Sequence, residues 1–261
     1  ALLMLASYVS VCTRDRFACQ AQEQSLKLAE RASRDKSESV RCASSRLLAA
    51  VGFAGGQGLF TNGTAGFDEA VRVCLRGIED PSRKVAASFS DALGEVTSCT
   101  ASTSAQAALG ACKEAKRPQL GKVLENPTQI LCAAFLRSLA EGKGRTSLCL
   151  TLALRRCFRQ MRSRYHCGDD KLCFVVTQAL EALNGVGTKG PANAVPLAQA
   201  CLVYFFHSGP LEVLGNASHA FLLGRLAKLM DKYKQKASLA FRLGILQCSR
   251  LLIQKLGSVE E

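Results

Sequence analysis

Three histidines, His166, His207 and His219, and thirteen cysteines are the residues of this 261-residue chain that could ligate a metal or act as nucleophiles. Zinc sites are normally assembled from two tight ligand pairs. Here His166 and Cys167 are followed by Cys173, His207 and His219 stand far along the chain, and no Cys-x-x-Cys occurs. That spacing supports no metal site, and no cofactor is expected. Asp169 and Asp170 form a carboxylate pair, but neighbours on a helix point about 100° apart. The pair reads as the acidic start of a helix, where the dipole favours negative charge. "GFAGGQG" at 52–58 is glycine-rich, yet it follows a predicted helix rather than a strand, which argues against a phosphate cradle. No GxGxxG, P-loop or GxSxG motif occurs, and the histidines have no acid or nucleophile beside them in sequence. These readings point away from an enzyme and from a small-molecule substrate.

Charge is the stronger signal. The net charge is +13, and it is uneven: residues 1–100 carry 12 basic and 11 acidic side chains, residues 101–261 carry 22 and 10. The densest stretch is "LRRCFRQMRSR". On a helix, Arg155, Arg156, Arg159 and Arg162 share one arc, while Leu150, Ala153, Leu154, Cys157, Phe158 and Met161 fill the other. Arg225, Lys228 and Lys232 make a second stripe, with Lys234 and Lys236 just beyond. Such faces either keep a protein solvated or dock an acidic protein, anionic lipid headgroups or nucleic acid. No aromatic residues interleave with the stripes, so a base-stacking platform for single strands is not supported.

The elements that must carry these side chains are helices. Hydrophobic residues make up 48% of the chain and aromatics 6%, with no Trp and six Pro. A β-sandwich would call for more β-branched and aromatic residues and denser turn signals, whereas Ala, Leu, Arg, Lys and Gln favour helix. The predicted fold is all-α. The length is enough to bury a core without disulfides or metals. The odd number of scattered cysteines, most of them in apolar helical stretches, fits free thiols in a reducing compartment, the cytosol or nucleus. In that setting Asn62-Gly-Thr64 and Asn216-Ala-Ser218, which match the glycosylation acceptor pattern, carry no weight. "ALLMLASYVSVC" lacks the basic region of a signal peptide and reads as a packed helix. No run reaches the roughly eighteen apolar residues of a membrane span.

Periodicity and breakers predict helices over 15–33, 39–51, 67–78 and a helix following "EDPS", where Asp80 is expected to cap and Pro81 to sit in the first turn. Between the second and third lies "GFAGGQGLFTNGTAG", six glycines in fifteen residues. Val85, Phe89, Leu93 and Val96 then follow at i, i+4, i+8 and i+11. Further helices are predicted over 127–140, 146–164, 169–183, 191–207, 211–228 and 237–256. Asp35 and Asp80 are 45 residues apart, and so are Val40 and Val85, Leu48 and Leu93, and Val51 and Val96. Antiparallel helix pairs recurring every 40–47 residues are the signature of HEAT-type repeats. Each hairpin has an apolar face that only a neighbour can bury. The expected architecture is therefore an α-solenoid of HEAT-like antiparallel helix hairpins. One segment spans 1–261 as part of a longer chain, with well-defined repeats at 15–52 and 66–97 and less regular hairpins over 116–261. In the first repeat Arg41 follows Val40. In the second Ala86 follows Val85, so the Asp–Arg ladder between repeats is expected to be broken there. End repeats need polar caps, and the apolar start at Ala1–Val11 is expected to need a cover.

Residues 25–100 carry a more particular likeness. "SLKLAERASRDKSESVRCASSRLLAAVG" and "FDEAVRVCLRGIEDPSRKVAASFSDALGEV" resemble the N-terminal part of the HEAT repeat-containing protein five family, whose fungal counterpart is the Laa-type adaptor-associated protein. The likeness lies in Val40-Arg41-Cys42-Ala43 after the acidic turn, in the Leu-rich helix ending near Val51, and in the Glu79–Val96 segment with Val85 and Leu93-Gly94. It implies a non-enzymatic scaffold for vesicle trafficking between the trans-Golgi network and endosomes. Such a scaffold would be cytoplasmic and peripheral to those membranes, with clathrin adaptor subunits as partners. An alternative from another class is a basic solenoid that binds nucleic acid or serves nuclear transport or ribosome assembly.

Overall fold

A computed structural model of the chain describes residues 1–11, 19–54, 65–99, 129–169, 172–173, 176, 195–232 and 239–257. Among them the secondary structure is helical, with short turns and no strand. The chain is an all-α solenoid, and it gathers into two compact units, Ala1–Ile130 and Leu131–Glu261.

The first unit contains α1 (Leu2–Val11), α2 (Cys19–Ala32), α3 (Glu38–Ala54), α4 (Ala65–Ile78) and α5 (Arg83–Ser98). α2 and α3 form one hairpin, and α4 and α5 the next. The second helices stack: α3 lies against both α1 and α5, while α2 backs α3 and α4 backs α5. The expected start of the first repeat at Asp15 and most of the glycine-rich loop lie outside the described residues. The expected core positions of α5, Val85, Phe89, Leu93 and Val96, are fully buried. So are Leu47 and Leu48 in α3 and Val73 and Cys74 in α4. Each large apolar side chain removed from water contributes about 1.5–3 kcal/mol, and that gain exists only because a neighbouring helix covers it.

The two turns are copies of each other. Asp35 accepts a hydrogen bond from the backbone N–H of Ser37 at 2.7 Å, and Asp80 accepts one from Ser82 at 2.8 Å. The first helical bonds also correspond, Arg41 N–H to the Ser37 carbonyl and Ala86 N–H to the Ser82 carbonyl. This corrects the expected role of Asp80. The N-cap of α5 is Ser82, whose hydroxyl accepts from the Val85 N–H. Pro81 stands outside the helix, and Asp80 lies two positions before the N-cap, too early to cap. Asp80 is held instead by Arg41 of the preceding repeat, Nε to Oδ2 at 2.8 Å and Nη2 to Oδ1 at 3.2 Å. The remaining Nη1 of Arg41 donates to the carbonyls of Asp35 and Lys36. The rung between these repeats is therefore made. It uses the arginine of the first repeat and the aspartate of the second, so Ala86 has no bearing on it. Both side chains are largely buried, 16% and 12% exposed, in a paired, charge-assisted geometry. Further along the same contact, Ser45 and Ser88 share a hydrogen bond and the Cys99 thiol donates to the Gly52 carbonyl.

In the second unit the helices are α6 (Gln129–Ala140), α7 (Gly144–Ser163), α8 (Val195–Ser208), the single turn α9 (Pro210–Val213), α10 (Asn216–Lys232) and α11 (Leu239–Gly257). α6 ends at Gly142, whose φ of 68° lies in the left-handed region. The Lys143 and Gly142 N–H groups bond back to the carbonyls of Ser138 and Leu139, the double closure of a glycine-ended helix. The chain then reverses into α7, and the buried Ser138 and Ser147 hydroxyls bond across the hairpin at 2.7 Å. α7 packs on α8 and α8 on α11, with α10 behind α11. A second repeat, without an echo in the sequence pattern, appears at a spacing of 47. Thr151, Ala198 and Ile245 are equivalent, as are Leu154, Cys201 and Cys248, and Phe158, Phe205 and Leu252, and all nine are buried. Phe158 and Phe205 meet edge to face with centroids 6.2 Å apart. The helix expected over 211–228 is broken: Leu214 is extended, at φ −89° and ψ 151°, and a new helix starts at Asn216. Of the helix expected over 169–183, Leu172 and Val176 are buried, and most of the rest lies outside the described residues.

Two outcomes follow from the first unit. In a double-mutant cycle, Arg41→Ala and Asp80→Ala are each expected to cost about 2 kcal/mol in urea unfolding, with a coupling of about 1 kcal/mol or more. Additive losses would show that the rung contributes nothing of its own. Gly77→Ala would drive a Cβ into the ring of the buried Phe89. It is expected to lower stability by about 1–3 kcal/mol through overpacking, readable as a lower Tm.

Candidate functional site

α7 has the amphipathic division its sequence predicts. Leu150, Ala153, Leu154, Cys157, Phe158 and Met161 are buried, while Arg155, Arg156 and Arg159 are half-exposed and Arg162 is exposed. The guanidiniums nonetheless reach for partners within the unit. Arg155 donates to the Tyr204 hydroxyl on α8 at 3.0 Å. Arg159 pairs with Glu212 on α9. Arg162 bonds Asp169 at 2.9 Å and the Cys167 carbonyl at 3.2 Å. With the Gln160 carboxamide oxygen turned toward it, Arg156 donates to that oxygen at 3.1 and 3.2 Å. Partial burial, and then the charges of Arg155 and Arg156, depress the pKa of Arg159. The Tyr204 side chain acts in the opposite direction.

The second stripe differs. Arg225 and Lys228 are exposed on α10, and the Arg225 guanidinium sits 5.3 Å from the centre of the Phe221 ring, itself 48% exposed. Lys232 is the last residue of α10, and its side chain lies outside the described residues, as do Lys234 and Lys236. The α7 arginines thus bind α8, α9 and the loop after α7, whereas Arg225 and Lys228 stand free of the packing.

Asp169 has a role that its sequence neighbourhood conceals. Its carboxylate accepts from the Ser218 hydroxyl at 2.7 Å, from the Gly215 N–H at 3.4 Å and from Arg162. It therefore satisfies the start of α10, the helix that begins where the expected 211–228 helix breaks. The Ser218 hydrogen bond, assisted by Gly215 and Arg162, holds its pKa below the ordinary aspartate value against the opposing effect of burial. Next to Ser218, His219 is 1% exposed. Burial pushes its imidazole toward the neutral form. His166 is exposed with φ 48°, and His207 is exposed on α8. Cys167 and Cys173 are buried. Among the described residues no three His, Cys, Asp or Glu side chains gather to hold a metal ion. The thiols behave as small apolar groups: burial raises Cys74 and Cys201 and pushes Cys248 up to about 12.

Between α8 and α11 runs an open groove of about 550 Å³, lined by Gln199, Val203, Tyr204, His207, Gln247 and Leu251 among others. The carboxamides of Gln199 and Gln247 approach to 3.5 Å across it. Sequence reading did not single out this groove. Its signal would have been the 47-residue spacing, which places α8 and α11 side by side. No helix among the described residues is long and apolar enough to cross a membrane.

Stacked second helices, a groove between them and a cationic outer stripe define an α-helical repeat solenoid, a fold that recognises partners by its surface. No family model matches the chain. It is similar to Protein SWEETIE of Arabidopsis thaliana, 28% identical over 233 residues, covering 86% of this chain and 10% of that protein. The chain thus spans about a tenth of the length of the curated relative it matches. Among solved structures it is similar to an engineered protein at a TM-score of 0.36 and 11% identity, covering 97% of this chain and 89% of the other. Two designed armadillo repeat proteins are comparable. One has a TM-score of 0.33 and 12% identity, with 96% and 91% covered. The other, in complex with the peptide (KR)4, has a TM-score of 0.35 and 12% identity, with 98% and 91% covered.

Asp169→Asn is expected to cost about 1 kcal/mol at neutral pH, a modest figure because the carboxylate is partly exposed. Because its folded pKa is depressed, its contribution is fully present above the unfolded value of about 3.9 and is lost as pH falls through the folded one. Thermal melts of the two proteins should therefore converge below that range. A gap that stays constant down to the most acidic sample would mean that the carboxylate charge is not what holds α10.

Proposed function

We propose that this chain is part of a non-enzymatic scaffold that docks acidic protein surfaces on its second unit. The observation that carries the reading is the α10 face, where Arg225 is held over the exposed Phe221 ring and Lys228 is exposed beside it. An aromatic ring with a cation fixed over it offers apolar area and charge at little cost in side-chain entropy. Lys232 continues the stripe in sequence. Arg155, Arg156, Arg159 and Arg162 add positive potential from α7, but each already has a partner inside the unit, in Tyr204, Gln160, Glu212 and Asp169 respectively. The likeness of residues 25–100 to the HEAT repeat-containing protein five and Laa-type family supports placing the scaffold in clathrin-adaptor-linked traffic between the trans-Golgi network and endosomes. In that setting clathrin adaptor subunits are the partners and an anionic membrane surface lies close by.

A pull-down from cytosol with the chain as bait tests this. Clathrin adaptor subunits are expected in the eluate and are expected to be lost with Arg225→Glu and Lys228→Glu, while the melting temperature stays unchanged. Arg155→Glu with Arg159→Glu is expected to lower the melting temperature instead, because it breaks contacts inside the unit. Unchanged capture by the Arg225 and Lys228 variant would overturn the α10 docking site. Tight retention on heparin with a steep salt slope, together with ribonucleoprotein components in the pull-down, would replace the protein-scaffold reading with nucleic-acid binding.

A further inference from the structure

The 47-residue repeat leaves one of its interfaces open. α8 turns Pro196, Gln199 and Val203 toward α11: Gln199 meets Gln247, a Cβ placed on Gly244 would stand 2.8 Å from the Gln199 Cγ, and Pro196 and Val203 line the groove with Gln247 and Leu251. Phe206 continues that face at helical spacing and is fully buried. Moving 47 residues on, the same positions of α11 are Leu243, Leu246, Arg250 and Ile253. These lie on the outer side of the stack. Leu243 is 46% exposed, Leu246 52% and Ile253 56%, and Leu239, one turn before, is 65% exposed. The position that is 0% exposed as Phe206 is thus a bare isoleucine one repeat later. The spacing of 239, 243, 246 and 253 makes one apolar stripe along the helix, of the kind that marks an interaction surface.

We propose that this face of α11 is a stacking surface, covered in the intact polypeptide by a further amphipathic helix of the same chain, lying on α11 as α11 lies on α8. The continuity of the interface selects this occupant. The α7–α8–α11 stack joins successive, non-identical faces, each helix offering one side to its predecessor and the other to its successor. A second copy pairing α11 with α11 would have to be isologous, with the same patch facing itself across a twofold axis, and the repeat contains no contact of that kind. The cover is expected to present apolar side chains at the positions facing Leu243, Leu246 and Ile253.

Hydroxyl-radical footprinting of the intact polypeptide, as the cell makes it, reads this residue by residue. Leu148 on α7, 47% exposed, serves as the internal standard, since it has the same chemistry and nearly the same exposure. If the face is covered, Leu246 is expected to be modified about fivefold or more slowly than Leu148. Ile253, corrected for its intrinsic reactivity, should behave likewise, and both rates should be independent of protein concentration. Modification as fast as that of Leu148 would overturn the proposal. So would protection that appears only as concentration rises and the particle mass doubles, because the occupant would then be a second copy.

Discussion

A two-helix hairpin cannot bury both sides of its second helix, and everything else in this chain answers to that constraint. α3 has one flank on α1 and the other on α5, and α8 has one on α7 and the other on α11. Leu47, Leu48, Phe89, Phe158, Phe205 and Phe206 lose their water only because a neighbouring helix stands across from them. Within each unit the stack is therefore cooperative, and its stability is a sum of hairpins and the contacts between them. Where a neighbour is missing from the described stack, as at Leu246 and Ile253, the same kind of residue stays wet.

Polar contacts set the register of this stacking more than they strengthen it. Arg41 binds the Asp80 carboxylate with one edge of its guanidinium and the turn carbonyls of Asp35 and Lys36 with the other. It can do so only when the two acidic turns lie at one height. Asp169 does the comparable task in the second unit, tying the end of α7 to the start of α10 through Arg162, Gly215 and Ser218. Both ties use an aspartate carboxylate that pairs with an arginine and also accepts from a backbone N–H, Asp80 from Ser82 and Asp169 from Gly215.

The cationic faces show how far a helical wheel can be trusted. The wheel places Arg155, Arg156, Arg159 and Arg162 on one arc, and that arc exists. It says nothing about which neighbour lies within a guanidinium's reach. Tyr204 and Glu212 are 49 and 53 residues away from their arginine partners, beyond any local pattern. Arg225 and Lys228 look the same on paper, yet they are exposed on α10, where none of the described helices covers them.

Much of the fold was legible because it is local. The helices, the buried positions of α5, the acidic turns and the 45-residue echo all follow from hydrophobic period and turn chemistry, which act over a few residues. The break at Leu214 was not legible, and the Gly215 N–H that follows it finds its acceptor in a carboxylate 46 residues earlier. The 47-residue repeat of the second unit was obscured by Thr151, Ala198 and Ile245 filling one position with three side chains of different size and polarity. By itself the sequence determined the helices, their apolar faces and the pairing of helices into hairpins, since these depend on period and on turns. Only the tertiary structure decided which arginines are spent inside the unit, that Arg41 reaches Asp80, and which apolar stripe is left bare. Those outcomes depend on what stands opposite a side chain across a stacking contact, a distance in space with no counterpart in local sequence.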